Sequence, residues 1–216
     1  KKKTGDYSEL INWGLRFGIL LAVPAAIALA ILAIPLISTL FYYGAFTKTD
    51  ILMTQYALVA YSIGLVGLIL IKILAPAFYA QQNVKTPVKI ALFTLFCTQF
   101  MNLIFIGYLK HTGLALAIGL GACINAGLLF YNLKKGKVFK LNSGWLMFLA
   151  KIIISAFIMA LGLLYFKGSI DLWMNYSALS RFSHLIALIL FGTTIYFLTL
   201  KLFRLDVTEF FKKTIQ

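Results

Sequence analysis

Residues 88–133 read VKIALFTLFCTQFMNLIFIGYLKHTGLALAIGLGACINAGLLFYNL, two long apolar runs, Val88–Gly107 and Leu114–Leu133, separated by a short polar step at Lys110-His111-Thr112-Gly113. Each run reaches the ~20 residues with which a helix crosses ~30 Å of hydrocarbon. Working outward, Trp13–Leu40 and Leu52–Ala77 precede this pair, and Trp145–Phe166 and Phe182–Phe203 follow it. The chain is 62% hydrophobic, with a mean hydropathy of +0.93. A soluble interior could not hide that much apolar surface. The expected fold is all-α: a polytopic membrane helical bundle of six transmembrane helices.

The cations set the orientation. One set of connectors carries Lys1, Lys2, Lys3 and Arg16, then Lys85 and Lys89, then Lys134, Lys135, Lys137 and Lys140, and finally Arg204, Lys212 and Lys213. Lys72, Lys151 and Lys201 lie just inside runs on that same side, whereas the opposite side holds Lys48, Lys110, Lys167 and Arg181. Lys and Arg are retained on the cytoplasmic side, so both chain ends are expected there, a parity that six spans satisfy. The net charge of +14 therefore belongs to connectors and span ends. It forms no basic face or arm, and nucleic-acid binding is not expected. The chain opens on Lys1-Lys2-Lys3 without an initiator Met or a readable signal sequence, and is expected to be a piece of a longer protein.

Local chemistry marks the breaks. Thr47-Lys-Thr-Asp50 offers hydroxyl caps and an acid at a helix start, where free N–H groups favour oxygen acceptors. Thr86 is an expected N-cap with Pro87 in the first helical position, and Asn142-Ser143-Gly144 repeats the signal before Trp145. Trp13, Phe41-Tyr42-Tyr43, Phe78-Tyr79, Tyr108, Trp145, Trp173 and Tyr176 are expected as interfacial anchors. The tail Val207–Ile215 reads as a short helix on the inner leaflet. These boundaries divide the chain into a first connector (1–12), four spans (13–133), a basic loop (134–144), two spans (145–203) and an interfacial tail (204–216).

Without hydrophobic drive between helices in lipid, contacts use small residues, and Gly113, Ala117, Gly121 and Asn125 form one stripe on the fourth span. Ala22, Ala26 and Ala30 do so on the first, where Pro24 and Pro35 bend or break the helix. The polar groups at membrane depth include Gln99, Asn102 and Asn125. Asn102 and Asn125 either hydrogen-bond across neighbouring antiparallel helices, a contact worth ~0.6 kcal/mol, which is the preferred reading, or contact substrate. Asp6, Glu9, Asp50, Asp171, Asp206 and Glu209 all fall in or beside connectors, so no intramembrane carboxylate supports a proton relay. Cys97, Cys123, His111 and His184 give neither a disulfide framework nor a metal site, and no cofactor is expected. Lys72, about a turn before Pro76, either snorkels to the headgroups or attracts an anionic headgroup entering from that side.

The segment Lys72-Ile-Leu-Ala-Pro-Ala-Phe-Tyr-Ala-Gln-Gln-Asn-Val-Lys-Thr-Pro-Val-Lys89 resembles the MurJ/MviN family of lipid II flippases, especially its proteobacterial members. Further matches run in the family's order: Trp13-Gly-Leu-Arg16, Tyr43-Gly44-x-Phe46-Thr47, Leu52-Met-Thr-Gln55, Thr98-Gln99-x-Met101-Asn102-Leu103 and Leu109-Lys110-His111-x-Gly113. The resemblance implies an alternating-access exporter of about fourteen helices in the MATE-like superfamily, of which this chain holds the last six. Residues 13–133 would then belong to the second lobe, and residues 145–203 would be an extra pair lining a groove for the lipid tail, with Phe157 and Phe191 facing it. The family's arginine-lined cavity lies on helices this chain lacks, so none of those residues is transferred and no catalytic residue is placed here. Asn102 stands where some members use an Asn for sodium, but Ile106, one turn on, is no carboxylate; no metal is expected.

What the resemblance leaves to this segment is mechanical. Tyr79, Gln81, Thr86 and Pro87 would set the Phe78–Lys89 turn at the inward gate. Lys85 and Lys89 would meet anionic lipid or the disaccharide-pyrophosphate headgroup of lipid II. The implied partners are lipid II, membrane lipids and other peptidoglycan-synthesis proteins, in the bacterial inner membrane. A related exporter of another polyprenyl-linked glycan or of drugs, and a scaffold of the peptidoglycan machinery, are the alternatives. An intramembrane enzyme would need a nucleophile with a base or a carboxylate cluster, and the scattered acids supply neither.

Overall fold

The computed structural model describes residues 2–136 and 144–205. Lys1, Lys137, Lys140, the Asn142-Ser143 cap and the Val207–Ile215 segment lie outside the described residues, as do Asp206, Lys212 and Lys213. The elements are α1 (Lys2–Ile31), α2 (Ala33–Phe41), α3 (Lys48–Tyr79), α4 (Lys85–Lys135), α5 (Trp145–Phe166), α6 (Ile170–Asn175) and α7 (Ala178–Leu202). Among the described residues there is no strand, and the molecule is an all-α polytopic membrane bundle. Among the described residues, five helices are long and apolar enough to cross a membrane.

The difference between five helices and six expected spans lies in α4. At 51 residues a straight helix would be about 77 Å long, more than twice the hydrocarbon thickness. Lys110 breaks it, with φ 50° and ψ −131°. The two arms then run antiparallel. A Cβ on Gly113 would lie 2.7 Å from the Phe105 carbonyl oxygen, and one on Gly121 would lie 2.2 Å from the Thr98 hydroxyl oxygen. At the other end Ile90 shares a buried cluster with Leu129 and Leu133. Residues 88–133 are therefore a helical hairpin, and each arm has the length of a span.

The first span also departs from a single helix. α1 ends at Ile31 and α2 begins at Ala33, with Leu32 between them at φ −87° and ψ 13°. Pro35 has no N–H to return to the Ile31 carbonyl, and its ring crowds that carbonyl, so the ladder opens one turn earlier. Pro24 sits inside α1 without ending it. At the amino end the helix starts at Lys2, so residues 2–12 continue the first span as helix.

The chain forms two compact units, residues 1–22 with 60–145 and residues 23–59 with 146–216. In the first, small residues let backbones meet, as lipid-embedded packing requires. A Cβ on Gly64 would fall 2.1 Å from the Gly119 Cα, and one on Gly67 2.7 Å from the Cys123 nitrogen. α3 thus runs alongside the second arm of α4 in the same direction, while Gly14 and Gly18 of α1 meet Ile73 and Ile69 of α3 in the opposite one. Of the expected stripe, Gly113, Ala117 and Gly121 are buried, with Gly113 and Gly121 against the first arm, while Asn125 is half-buried.

In the second unit α5 and α7 pack antiparallel, with Gly192 against Leu163 and Gly162 against Ile195 and Phe191. Ala33, Ile37 and Ile51 form a core, with Ile170 and Met174 packed on it. Trp173, expected as an interfacial anchor, is instead 1% exposed. Its indole N–H donates to the Lys167 carbonyl at 2.5 Å, closing the short helix α6 over the end of α5. Arg181, expected as a connector cation, is also buried. Its Nε donates to the Trp173 carbonyl at 2.9 Å, Nη1 to Tyr42 at 3.0 Å and Ser38 at 3.3 Å, and Nη2 to Met174 at 3.1 Å. The helix carbonyl ends of α2 and α6 thus converge on one guanidinium, which also lies 4.7 Å from the centre of the Tyr42 ring.

Candidate functional site

The turn between α3 and α4 contains most of the expected site residues. α3 closes through paired backbone bonds, Asn83 N–H to the Phe78 carbonyl at 3.0 Å and Gln82 N–H to the Tyr79 carbonyl at 2.9 Å, with Gln82 left-handed at φ 57°. This is a Schellman ending in which Gln82 occupies the position that usually takes Gly. The next helix is capped by Asn83, whose side-chain oxygen accepts from the Thr86 N–H at 3.2 Å and the Thr86 hydroxyl at 3.0 Å. That corrects the expectation of Thr86 as the cap. α4 starts at Lys85, two residues before Pro87, so the residue one turn back from Thr86 does the capping. Pro87 is buried within the first turn, where a missing N–H still costs nothing.

Beneath the turn, Phe78 is buried with Ile11, Leu15, Leu74, Ala77, Ile90, Leu129 and Leu133. Residues of α1, the end of α3 and both ends of α4 meet in this cluster. Two residues that sequence reasoning passed over hold it to α1. The Tyr7 hydroxyl donates to the Ala77 carbonyl, which also accepts from the Gln81 side-chain amide at 2.9 Å. The Trp145 indole donates to Asn12 at 3.0 Å, with the Arg16 guanidinium 5.5 Å from the centre of the Trp145 ring. Nothing in the periodicity singles out Tyr7, since its partner is a backbone carbonyl seventy residues away.

Above this packed base, Tyr79, Gln81, Lys85 and Lys89 are exposed. α4 carries no acid in its first turn. Lys85 and Lys89 therefore sit against the positive end of the helix dipole, an arrangement that costs helix stability and leaves their charge available to an anion. Lys72 and Pro76 are also exposed, on α3. Lys72 lies seven residues before Tyr79, about 10 Å below the turn along the helix. The turn therefore gathers two lysines and leaves the third deeper.

Gln99, Asn102 and Asn125 are not brought to this site. Lys85 and Gln99 are fourteen residues apart on one helical arm, about 21 Å. The expected Asn102–Asn125 bond is not formed: the Asn102 side-chain amide donates to Gln99 of its own arm at 3.3 Å. The hairpin register explains this correction. Phe105 opposite Gly113 and Thr98 opposite Gly121 bring Asn102 level with Ala117 and Asn125 level with Thr94, about 12 Å apart along the axis.

On α5 the groove-facing candidate Phe157 is exposed. Phe191 of α7 instead turns inward, its ring edge-on to Phe166 with centroids 5.0 Å apart. It lines a cavity of about 340 Å³ at the α6 end of this helix pair, together with Phe166, Lys167, Trp173, Tyr176 and His184. Among the described residues no cluster of His, Cys, Asp and Glu could hold a metal ion.

Against known proteins, the family model described as "Lipid II flippase MurJ" matches residues 1–184. The lipid II flippase MurJ of Burkholderia cenocepacia is 44% identical over 194 residues, covering 89% of this chain and 37% of the relative. The probable lipid II flippase MurJ of Buchnera aphidicola subsp. Schizaphis graminum is 38% identical over 213 residues, covering 98% of this chain and 41% of the relative. The solved structure "Lipid II flippase MurJ, inward closed conformation" superposes with a TM-score of 0.76 at 23% identity, covering 94% of this chain and 40% of that one. The chain thus spans about two fifths of the length of these relatives.

Proposed function

The chain belongs to the lipid II flippase MurJ family, and on that premise we propose that it forms the last six of about fourteen helices of an alternating-access flippase. The whole protein moves lipid II from the inner to the outer leaflet of the bacterial inner membrane. It makes and breaks no covalent bond, so these residues act by binding and by moving. Both ends of the chain lie on the cytoplasmic side, the side that retains lysines. α5 and α7 form an extra pair whose outer face, including Phe157, borders the lipid tail.

The observation that carries this reading is the turn at residues 78–89. A Schellman ending and the Asn83 cap fix its backbone, a buried cluster supports it, and Lys85 and Lys89 project from it against the helix dipole. A rigid support with available cations suits a gate that meets a pyrophosphate headgroup and then shuts behind it. Lys72, deeper on the same face of the membrane, offers a further cation along the entry path.

Complementation of a flippase-deficient cell by the full-length protein is the test. Pro87→Leu combined with Thr86→Ala should impair growth while the protein still inserts, and Lys85→Glu with Lys89→Glu should do so more strongly. Normal growth with both variants would refute the gate. Preferential binding of a different polyprenyl-linked glycan over lipid II would point to a related exporter, and loss of partner recruitment with transport intact would point to a scaffold.

A further inference from the structure

We infer that the cavity between α5, α6 and α7 is a binding site for an anionic phospholipid of the surrounding leaflet, separate from the path of the transported lipid. Its lining is mostly apolar and includes Phe166, Leu172, Trp173, Leu188 and Phe191. Its volume of about 340 Å³ holds roughly a dozen methylenes of one acyl chain at ~27–30 Å³ each, close to the share of liquid volume a water takes.

Charge decides which amphiphile fits. Lys167, just past the end of α5, and His184, nearly two turns inside α7, both line the cavity. Asp171 is the one acid in the connector from residue 167 to residue 177, and it pairs with Lys48. Among the described residues the Lys167 amine has neither an ion pair nor a hydrogen bond. His184 is oriented by its Nδ1 contact to the Ser180 carbonyl at 2.8 Å and by stacking on Tyr176, with ring centres 4.7 Å apart. An uncompensated cation, an oriented imidazole and a phenol in one mostly apolar lining match a phosphate on an acyl chain. A free phosphate would gain nothing from the apolar lining, and a zwitterionic lipid brings its own ammonium toward Lys167.

The test uses the full-length protein in nanodiscs of phosphatidylcholine, doped with phosphatidylglycerol that carries a photoactivatable group on its acyl chain. The photoactivatable phosphatidylcholine analogue is the control. The phosphatidylglycerol probe should label peptides around residues 166–173 and 184–191 about fivefold more than the control, the factor one near-surface cation contributes. Lys167→Ala with His184→Ala should bring labelling down to the control level, and Lys167→Arg should preserve it. Equal labelling by both probes, or labelling unchanged in the double variant, would overturn the site. So would loss of phosphatidylglycerol labelling on adding lipid II, which would assign the cavity to the transported lipid.

Discussion

Gly64 of α3 faces Gly119 of α4 so closely that a Cβ on Gly64 would lie 2.1 Å from the Gly119 Cα. No side chain at the contact can yield, since the obstructing atoms are backbone. Gly64→Ala should therefore push the helices apart and cost about 1–3 kcal/mol. Thermal unfolding of the full-length protein in detergent, followed by loss of its monodisperse gel-filtration peak, checks this; an unchanged midpoint would mean that the two helices do not touch there.

The turn between α3 and α4 can be tuned in opposite directions. Gln82 is left-handed at φ 57°, so Gln82→Gly removes a strain of about 1–2 kcal/mol and should stabilise the protein. Asn83→Ala removes the cap on Thr86 and should destabilise it by about 1 kcal/mol. Hydrogen exchange at the first amides of α4 should slow in the first variant and quicken in the second.

Arg181 and the Lys48–Asp171 pair test what buried and exposed charges contribute. Arg181→Lys cannot reach the carbonyls of Ser38, Tyr42, Trp173 and Met174 together, and should lower stability by about 1–3 kcal/mol. Lys48 and Asp171 keep side-chain exposures of 46% and 69%, so Lys48→Ala should change stability by less than about 1 kcal/mol. Melting temperatures of the two variants in one detergent give the comparison directly.

Orientation is open to a labelling experiment. With native cysteines replaced, Asp171→Cys should react with an impermeant thiol reagent added outside intact cells. Lys135→Cys should react only after the membrane is opened. The reverse pattern would place the turn between α3 and α4 on the outer face.

The spans were legible because their signal is summed over about twenty residues, and the Thr47–Asp50 cap was legible because it is local. In the structure the Thr47 N–H donates to the Asp50 carboxylate at 2.8 Å and the Asp50 N–H returns to the Thr47 hydroxyl at 3.3 Å. The Asn102 and Asn125 partners depended on the register between two arms, which Gly113 and Gly121 set by close approach and which no single residue announces. Arg181 read as a connector cation because its acceptors are backbone carbonyls, invisible to side-chain patterns. At the turn between α3 and α4, the burial of Phe78 and the exposure of Lys85 and Lys89 follow from residue type, whereas the capping residue does not. The cap moved from Thr86 to Asn83 because both residue types satisfy free N–H groups, and only the chain path chooses between them.

A one-residue bend at Lys110 leaves the two arms of α4 no slack. At Gly113 and Gly121 the facing arm leaves no room for a Cβ, so any side chain placed at either position would have to prise the hairpin open, and both sites admit only the smallest residue.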